Sequence, residues 1–290
     1  MSDGMIRIDS LNYIYGIGSG YEKIALRDIN LKIKEGEFLA IVGHTGSGKS
    51  TLMQQMIGLD KPTSGQVFYD GADIHDKKYD RKKLRSQVGM VFQYAEHQLF
   101  ETSVIRDVMF GPKNQGISDA KAEQYAYDAL RMVGIQDEEM DVSPFMLSGG
   151  QKRRVAIAGV LAMQPKVLLL DEPAAGLDPV GRRGIFRLLQ ELHEARNMTI
   201  VFTSHSMEDV AAYANRMIVM NRGGILLDGT PTQIFAYREQ LAGIGLGVPV
   251  VTEVLQRLKE RGAAIDSTPV TLMAAVDAVE AWYKREKGGV

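Results

Sequence analysis

The sequence predicts an α/β fold with a mostly parallel core sheet, an antiparallel β subdomain, a helical subdomain and a small C-terminal helical unit. Continuous apolar runs such as Phe38–Val42 and Val167–Leu170 are typical of strands buried in a parallel sheet. Alternation of apolar and polar residues near the N-terminus indicates half-buried antiparallel strands. Helical spacing of apolar residues after Gln93, and again after Gly247, indicates two helical regions.

The first predicted element is antiparallel sheet. Ile6 and Ile8 share one face of a strand that continues through Tyr13 and Tyr15 to a glycine-rich turn at Gly16–Gly20. The run after this turn carries apolar residues at period two, at Ile29, Leu31 and Ile33.

Four further runs are predicted to be buried strands, and each leads to glycine or a polar residue. The runs and the residues that follow them are Phe38–Val42 with Gly43, Val88–Phe92 with Gln93, Val167–Leu170 with Asp171, and Thr199–Thr203 with His205. Ligands of open parallel sheets bind beyond the carboxyl ends of the strands. We therefore expect these residues to converge at one edge of the sheet.

Helical regions follow the strands. Between Gln93 and Asp171 the sequence turns helical, with Ser118 as a predicted N-cap. After Gly247, helical spacing joins Val250, Val251, Val254, Leu255 and Leu258, and Thr268-Pro269 is predicted to open a second helix with Leu272, Val276, Val279 and Trp282 inward. We predict a main domain of residues 1–240, with a helical subdomain at about 94–165, and a C-terminal assembly unit of residues 241–290.

Composition narrows the function. The chain has 290 residues and a net charge of -2, so no overall basic field favours nucleic acid, and we expect no nucleic-acid partner. The absence of cysteine excludes disulfides and thiolate metal sites. Met1–Gly4 lacks a basic and apolar leader, and no run reaches the ~18 apolar residues of a membrane span. We expect exposure to the cytosol, with any membrane role peripheral.

The stretch Gly43-His44-Thr45-Gly46-Ser47-Gly48-Lys49-Ser50 matches a phosphate-binding loop, because it follows a predicted strand and precedes a helix. Its glycines let backbone N–H groups wrap a phosphate chain, and the helix adds its positive end. Lys49 supplies charge for the β- and γ-phosphates of a nucleotide, and Ser50 supplies a hydroxyl ligand for Mg²⁺. Asp171 is predicted to hold the same ion, through water.

A second motif, Leu147-Ser148-Gly149-Gly150-Gln151, opens a helix, so that Ser148 and the amides of Gly149 and Gly150 form an anion site. With both motifs the chain resembles the ATP-binding cassette (ABC) ATPases over about Ile6 to Gly229. The resemblance implies a P-loop NTPase of ABC type in residues 1–240, with ATP and Mg²⁺ as cofactors. It also implies a dimer in which Ser148, Gly149, Gly150 and Gln151 of one subunit contact the ATP of the other.

The resemblance assigns further roles. Glu172 is expected to polarise the attacking water, Gln93 to sense Mg²⁺ and that water, and His205 to contact the γ-phosphate, with Lys49 completing the catalytic set. Asp178 is expected to couple the two ATP sites of the dimer. The expected Mg²⁺ ligands are Ser50, Gln93 and Asp171. The expected ATP-binding residues are Tyr15, which would stack on adenine and competes with Tyr13 for that role, and Gly43, His44, Thr45, Gly46, Ser47, Gly48, Lys49, Ser50 and Thr51.

The chain resembles one branch of these ATPases over nearly its whole length. The residues that indicate this branch are the segment Val91–Phe100, with Phe110–Asn114 downstream. That branch is the energy-coupling factor (ECF) transporter ATPases, and of these the second ATPase type. The resemblance implies an ATP-hydrolysing motor at the cytoplasmic face of the cell membrane that drives uptake of a vitamin or transition-metal ion. Its implied partners are a second ATPase subunit, a transmembrane coupling subunit and a substrate-binding membrane subunit. Glu96 and Glu101 are expected to form an acidic groove for basic helices of the coupling subunit.

One alternative function is a soluble ABC ATPase of the iron–sulfur assembly type, with no transport role. It would share every nucleotide motif but neither the Gln93–Phe100 segment nor the C-terminal helices. The sequence leaves the transported substrate open, because a different subunit chooses it in ECF transporters. It also leaves homodimer and heterodimer open, because both halves of a shared ATP site are present in this chain.

Overall fold

The structure of the protein is a computed structural model that describes residues 5–287. Met1–Gly4, on which the expectation about a leader rests, lies outside the described residues. The described residues form two compact units, one of residues 5–37 and 50–203 and one of residues 38–49 and 204–287. The predicted division at residue 240 stays a prediction.

The strands, in chain order, are β1 Ile6–Tyr15, β2 Lys23–Ile33, β3 Phe38–Val42, β4 Ser64–Tyr69, β5 Ala72–Asp73, β6 Val88–Val91, β7 Val167–Leu170, β8 Thr199–Thr203, β9 Arg216–Asn221 and β10 Gly224–Gly229. The α-helices are α1 Lys49–Met56, α2 Arg81–Gln87, α3 Val104–Asn114, α4 Asp119–Met132, α5 Gly149–Leu161, α6 Pro179–Arg196, α7 Met207–Tyr213, α8 Pro231–Phe235, α9 Arg238–Gly243, α10 Val250–Glu260 and α11 Leu272–Lys287. Short 3₁₀ helices occupy Ala95–Gln98, Asp137–Glu139 and Pro144–Met146.

The first unit contains the predicted antiparallel subdomain, with strand order β2-β1-β4-β5. Strands β1 and β2 pair with Ile6 opposite Ile33 and Ile8 opposite Leu31, and the turn between them contains Gly16–Gly20 as predicted. All four of these apolar residues are buried, because period-two alternation puts them on the same face.

Parallel strands of the same unit run in the order β8-β7-β6. The register places Val91 opposite Leu170 and Leu170 opposite Phe202, so the three strands end level with one another. Every residue of these strands is buried, as their continuous apolar character requires. The polar residues that follow β6 and β7, and Thr203 at the end of β8, therefore lie at one edge.

Helices α3, α4 and α5 pack against one another and form the predicted helical subdomain. Ser118 is the N-cap residue of α4, as predicted, although its side chain makes no capping hydrogen bond. Helix α5 contacts both β6 and the 3₁₀ helix Ala95–Gln98. It thus links the helical subdomain to the parallel strands.

The second unit is built on β3, which pairs in parallel with β9, while β10 pairs antiparallel with β9. All five residues of β3 are buried. An ion pair of 2.7 Å between Arg216 Nη2 and Asp228 Oδ2 joins β9 to β10. The predicted mixture of parallel sheet, antiparallel sheet and helices is confirmed.

The C-terminal helices α10 and α11 pack through a small cluster of Leu255, Ile265 and Ala275, with Trp282 packed against it. The helix predicted after Thr268-Pro269 begins at Leu272. The set of side chains predicted to face inward on this helix was wrong in part. Trp282 packs inward, whereas side chains predicted to do so are exposed, to 65% at Leu272, 42% at Val276 and 38% at Val279. The residue that α11 buries in the cluster is the small Ala275, which is 6% exposed.

Within residues 5–287, no helix combines the length and the apolar character that crossing a membrane would need.

Replacing Leu255 with alanine should destabilise the C-terminal helices. Leu255 is 1% exposed, and leucine-to-alanine changes in cores cost roughly 2–5 kcal/mol. Denaturant unfolding followed by hydrogen exchange should show the loss in α10 and α11. Val254→Ala is the matched control, since Val254 is 50% exposed, and an equal loss in this variant would contradict the assignment of the cluster.

Candidate active site

The glycine-rich loop of the second unit joins β3 to α1. Gly43 has φ +155°, and a Cβ atom there would lie 2.5 Å from the carbonyl oxygen of Met220 and 2.5 Å from Ser47 Oγ. Only glycine fits this close approach, so the backbone can wrap tightly. Lys49 is 6% exposed, and its Nζ donates to the carbonyl oxygens of Gly43 at 2.8 Å and His44 at 3.3 Å. Its ammonium group is therefore held against the loop.

Other residues of the loop are fixed within the same unit. The backbone N–H of Ser47 donates to the carbonyl oxygen of His44 at 3.1 Å, and the N–H of Gly223 donates to that of Ser47 at 3.0 Å. His44 places Nε2 3.2 Å from Asn221 Oδ1, at the end of β9. The loop is thus anchored to β9, the strand next to β3.

Tyr15 and Thr51, two predicted ATP-binding residues, meet in the first unit. Their hydroxyl oxygens lie 3.1 Å apart, and the Tyr15 ring packs edge-on against Tyr13 with centroids 4.8 Å apart. Tyr15 is 39% exposed, so part of its ring is available for stacking. Burial raises the pKa of the competing Tyr13, and the nearby Asp60 carboxylate adds to this shift.

The carboxylates that follow β7 are held by one hydroxyl. Thr203 is fully buried at the end of β8, and its Oγ1 donates to Asp171 Oδ1 at 2.7 Å. The same Oγ1 accepts the backbone N–H of Glu172 at 2.8 Å. Gln93 Nε2 donates to Glu172 Oε2 at 3.1 Å. The predicted convergence of Gln93, Asp171 and Glu172 is therefore present in the structure.

Glu172 has a left-handed backbone, with φ 50°. A non-glycine residue in this region costs on the order of 1–3 kcal/mol and persists only when its surroundings fix it. Here the amide is bound by Thr203, and the carbonyl oxygen accepts from Arg153 Nη1 at 3.2 Å. The strained conformation is thus fixed on both sides of the residue.

His205 lies in the second unit, immediately before α7, and is exposed. Ser206 is the N-cap residue of α7, and its Oγ accepts the backbone N–H of Asp209 at 3.2 Å. The cap fixes the chain direction next to His205.

The pentapeptide forms the start of α5, with Ser148 as its N-cap. Ser148 Oγ donates to Gln151 Oε1 at 2.7 Å, and Gln151 Nε2 donates to Glu139 Oε1. A Cβ added at Gly149 or Gly150 would meet no atom within 4 Å of the described chain. Exposed apolar side chains precede this end of the helix, Phe145 at 68% and Met146 at 78%. This helix end is open to another molecule.

Asp178 caps α6 by accepting the backbone N–H groups of Val180 and Gly181, both at 2.8 Å. The N–H of Gly181 and then that of Val180 lower the pKa of Asp178 below its ordinary value. The side chain is exposed, so it is both a helix cap and available for the predicted inter-subunit contact.

The structure gives Glu96 an internal partner, and the expected acidic groove stays a prediction. Arg153 Nη2 donates to Glu96 Oε1 at 2.8 Å, and Arg153 Nε lies 2.7 Å from Glu96 Oε2 as an ion pair. The side chain of Arg153 is fully buried, and that of Glu96 is 15% exposed. A buried arginine requires a counter-charge, so Glu96 turns inward. Glu101 remains partly exposed.

A cavity of about 910 Å³ lies beside this segment. Its apolar wall includes Met90, Leu99, Phe100, Phe110, Val160 and Met163. Its charged lining includes Lys82, Lys83, Arg85 and Asp107. Of the described residues, Glu96 and Glu101 are not among those that line it. The cavity is therefore apolar with a basic edge.

Sequence reasoning did not single out Thr203 and Arg153 as functional residues. Thr203 could have been found, because it is the last residue of a predicted buried strand, and such positions face the site. Arg153 could not be found in this way, because nothing in the spacing of α5 shows that a charged residue is buried.

The loop after β3, the carboxylates after β7 and the capped start of α5 define a P-loop ATPase. A family model described as "ABC transporter" matches residues 26–175. The energy-coupling factor transporter ATP-binding protein EcfA2 of Caldanaerobacter subterraneus subsp. tengcongensis is 48% identical over 282 residues, which are 97% of this chain and 99% of that protein.

Solved structures agree. cbiO1 from Clostridium perfringens, described as part of the ABC transporter complex cbiONQ, is 40% identical with a TM-score of 0.74, covering 90% of this chain and 98% of that chain. A dimeric ATP-binding cassette in a post-hydrolysis state bound to ADP and Pi is 31% identical with a TM-score of 0.70, covering 78% of this chain and 99% of that chain.

The chain belongs to the ABC transporter family and, within it, to the ATP-binding proteins of energy-coupling factor transporters. It is therefore an ATPase that binds ATP as a component of a membrane transporter. The resemblance to ECF ATPases is confirmed, and the alternative of a soluble iron–sulfur assembly ATPase is not supported.

Replacing Thr203 with valine should lower both stability and turnover. The change leaves the buried Asp171 Oδ1 and the Glu172 N–H without their hydroxyl partner, at a cost of roughly 1–3 kcal/mol for each unsatisfied group. Denaturant unfolding measures stability and steady-state ATP hydrolysis measures turnover. Thr203→Ser keeps the hydroxyl group and should preserve both stability and turnover.

Thr199→Val is the matched control, because Thr199 is a buried threonine of the same strand whose Oγ1 accepts the N–H of Gly36 at 2.9 Å. It should cost stability and leave kcat unchanged. An equal loss of kcat in the two valine variants would contradict a specific role for Thr203.

Proposed function

We propose that this chain is the ATP-hydrolysing motor of an ECF-type importer and drives uptake of a vitamin or transition-metal ion through membrane subunits. The observation that carries the proposal is the 48% identity to an ECF ATP-binding protein over 97% of this chain. The hydrogen-bonded cluster of Gln93, Asp171 and Glu172 supports it. The protein would act at the cytoplasmic face of the membrane, with a transmembrane coupling subunit and a substrate-binding subunit as partners.

ATP would bind to the loop after β3. Backbone N–H groups of Gly43 to Gly48 would wrap the phosphates, and Lys49 would move from the loop carbonyls to the β- and γ-phosphates. The partly exposed ring of Tyr15 would stack on adenine, with its hydroxyl held by Thr51. His205 would contact the γ-phosphate.

The oxygen donors of the first unit fit Mg²⁺. Asp171 is 6% exposed, and of its two carboxylate oxygens only Oδ1 receives a hydrogen bond from the described residues. Asp171 would hold the ion together with the Ser50 hydroxyl and the Gln93 amide oxygen, and Mg²⁺ prefers such oxygen ligands. The bound ion would neutralise charge on the phosphates. Among the described residues, no group of three or more acidic or histidine side chains could hold a metal ion. Mg²⁺ bound together with a nucleotide does not need such a group, because it uses only one or two carboxylates.

Hydrolysis would use Glu172 as the general base for water. Its carboxylate accepts from the Gln93 amide at 3.1 Å, and this contact orients it. The closed state would be a dimer, homo- or heteromeric, in which Ser148, Gly149, Gly150 and Gln151 contact the ATP of the second ATPase subunit. Asp178 would lie in the contact between the two subunits.

Glu172→Gln should abolish turnover while ATP binding persists, because the substitution removes the base and leaves the phosphate contacts intact. We expect kcat to fall by roughly 100-fold or more, and dimers to accumulate with ATP. Single-turnover hydrolysis, nucleotide-binding titration and size-exclusion chromatography measure these effects. Glu191→Gln, on the exposed face of α6, is the control. Near-normal hydrolysis by Glu172→Gln would remove Glu172 from the mechanism.

The coupling subunit would dock at the Gln93–Phe100 segment and the adjoining cavity. Phe100 and Phe110 are 57% and 46% exposed and pack edge-on with centroids 5.1 Å apart, so they form an apolar wall for a helix of that subunit. Glu101 would contact a basic residue at the rim. Glu96 would act on docking through Arg153 and not by direct contact with the coupling subunit, because its carboxylate is already paired with Arg153.

Phe100→Ser combined with Phe110→Ser should separate transport from hydrolysis. The two rings lie in the cavity wall and outside the nucleotide residues, so ATP hydrolysis in solution should persist. Binding to the coupling subunit and uptake in reconstituted vesicles should be lost. Tyr21→Ser, which removes a ring that is 90% exposed elsewhere, is the matched control. Uptake at the parental rate by the double variant would exclude this surface.

The C-terminal helices would serve assembly with the second ATPase subunit. Their outer surface carries apolar side chains that are exposed in the described chain, namely Val250, Val254, Leu272, Met273, Val276 and Val279. Contiguous exposed apolar surface marks interaction sites, and these side chains would supply it. This supports the predicted role of residues 241–290.

A further inference from the structure

Arg153 is the largest fully buried side chain of the described residues. It lies on α5, two residues beyond the pentapeptide, and it has none of the nucleotide roles proposed for the other residues. A buried guanidinium is retained at a high desolvation cost, so its five N–H donors must have partners. The positions of those partners indicate what Arg153 does.

Its hydrogen bonds go to the chain immediately after β7. Nη1 donates to the carbonyl oxygens of Glu172 at 3.2 Å and Pro173 at 3.3 Å, and Nη2 donates to that of Ala175 at 3.2 Å. These three carbonyl groups surround the left-handed residue Glu172 and the turn that leads from it. Arg153 therefore fixes the backbone that sets the direction of the Glu172 side chain.

Glu96 holds the other side of the same guanidinium, through Oε1 at 2.8 Å and Oε2 at 2.7 Å. Glu96 lies in the 3₁₀ helix Ala95–Gln98, three residues after Gln93. The Gln93–Phe100 segment and the Glu172 backbone are thus joined by one planar guanidinium group.

We propose that Arg153 and Glu96 form a positioning pair for ATP hydrolysis: the Arg153 fork sets the backbone of Glu172, and Glu96 transmits the position of the Gln93–Phe100 segment to it. The inference rests on the proposed role of Glu172 as base. Arg153 contacts no reacting atom, and it acts through Glu172. A docked partner that shifts Glu96 would shift the fork, and with it the carboxylate that activates water.

Arg153→Lys provides the decisive test in the full-length protein. Lysine keeps the buried positive charge beside Glu96, but it lacks the planar fork that reaches three carbonyl groups. We expect the unfolding temperature to fall, because buried carbonyl groups lose their donors, while the folded protein keeps an affinity for ATP near the parental value. We expect kcat to fall by roughly 10- to 100-fold, the effect of a displacement of about 1 Å at a reacting group. Arg131→Lys, which alters an exposed arginine paired with Asp137, should change neither kcat nor KM.

Glu96→Gln is the second variant, and it keeps an acceptor for Nη2 while removing the charge. It should lower kcat at unchanged KM for ATP. The double variant Glu96→Gln with Arg153→Lys should be no slower than Arg153→Lys alone, because both residues act through one path.

Parental kcat per folded molecule in Arg153→Lys, or a loss of kcat that only follows a loss of ATP binding or of the folded fraction, would overturn the proposal. Parental kcat in folded Glu96→Gln would overturn the part assigned to Glu96. Failure of the proposed function is distinguishable, because Glu172→Gln would then hydrolyse ATP normally whatever the Arg153 variants do.

Discussion

The left-handed backbone at Glu172 is the constraint on which the hydrolytic site depends. Its φ of 50° is unfavourable for any residue with a Cβ atom, so neighbouring groups must hold it. Thr203 binds the amide from the end of β8, and Arg153 binds the carbonyl from α5. The direction of the carboxylate is thereby set by hydrogen bonds to the backbone. A change in the rotamer of the Glu172 side chain could not fix the backbone in this way.

These hydrogen bonds depend in turn on the packing of the parallel strands. Because Leu170 lies opposite both Val91 and Phe202, the chain leaves β6 and β7 at the same level as the end of β8. A shift of one residue in the pairing of β7 with β8 would move Thr203 by about 3.3 Å relative to Asp171 and turn it to the other face. The buried register of the core and the geometry of the site are therefore one property of the fold.

Local patterns predicted most of this architecture. The buried strands, the loop Gly43–Ser50 and the cap at Ser148 all depend on neighbouring residues, and spacing alone reports them. The inward turn of Glu96 was not predictable, because its cause is Arg153, which is distant in sequence and buried only in the folded protein. The inner face of α11 was not predictable either, because apolar residues occur around much of that helix, and periodicity could not select Ala275.

Glu96 and Glu101 show why a count of acids does not define a docking surface. The two carboxylates are close in sequence, but the first neutralises a buried guanidinium and the second remains partly exposed. An acid committed to an internal ion pair contributes little attraction to an external partner, since its field is cancelled by its neighbour. The adjoining cavity is lined by aromatic and aliphatic side chains with lysine and arginine at one edge. Contact there would be dominated by burial of apolar surface. Docking would affect Glu172 by displacing Glu96 and Arg153, and not by a change in charge.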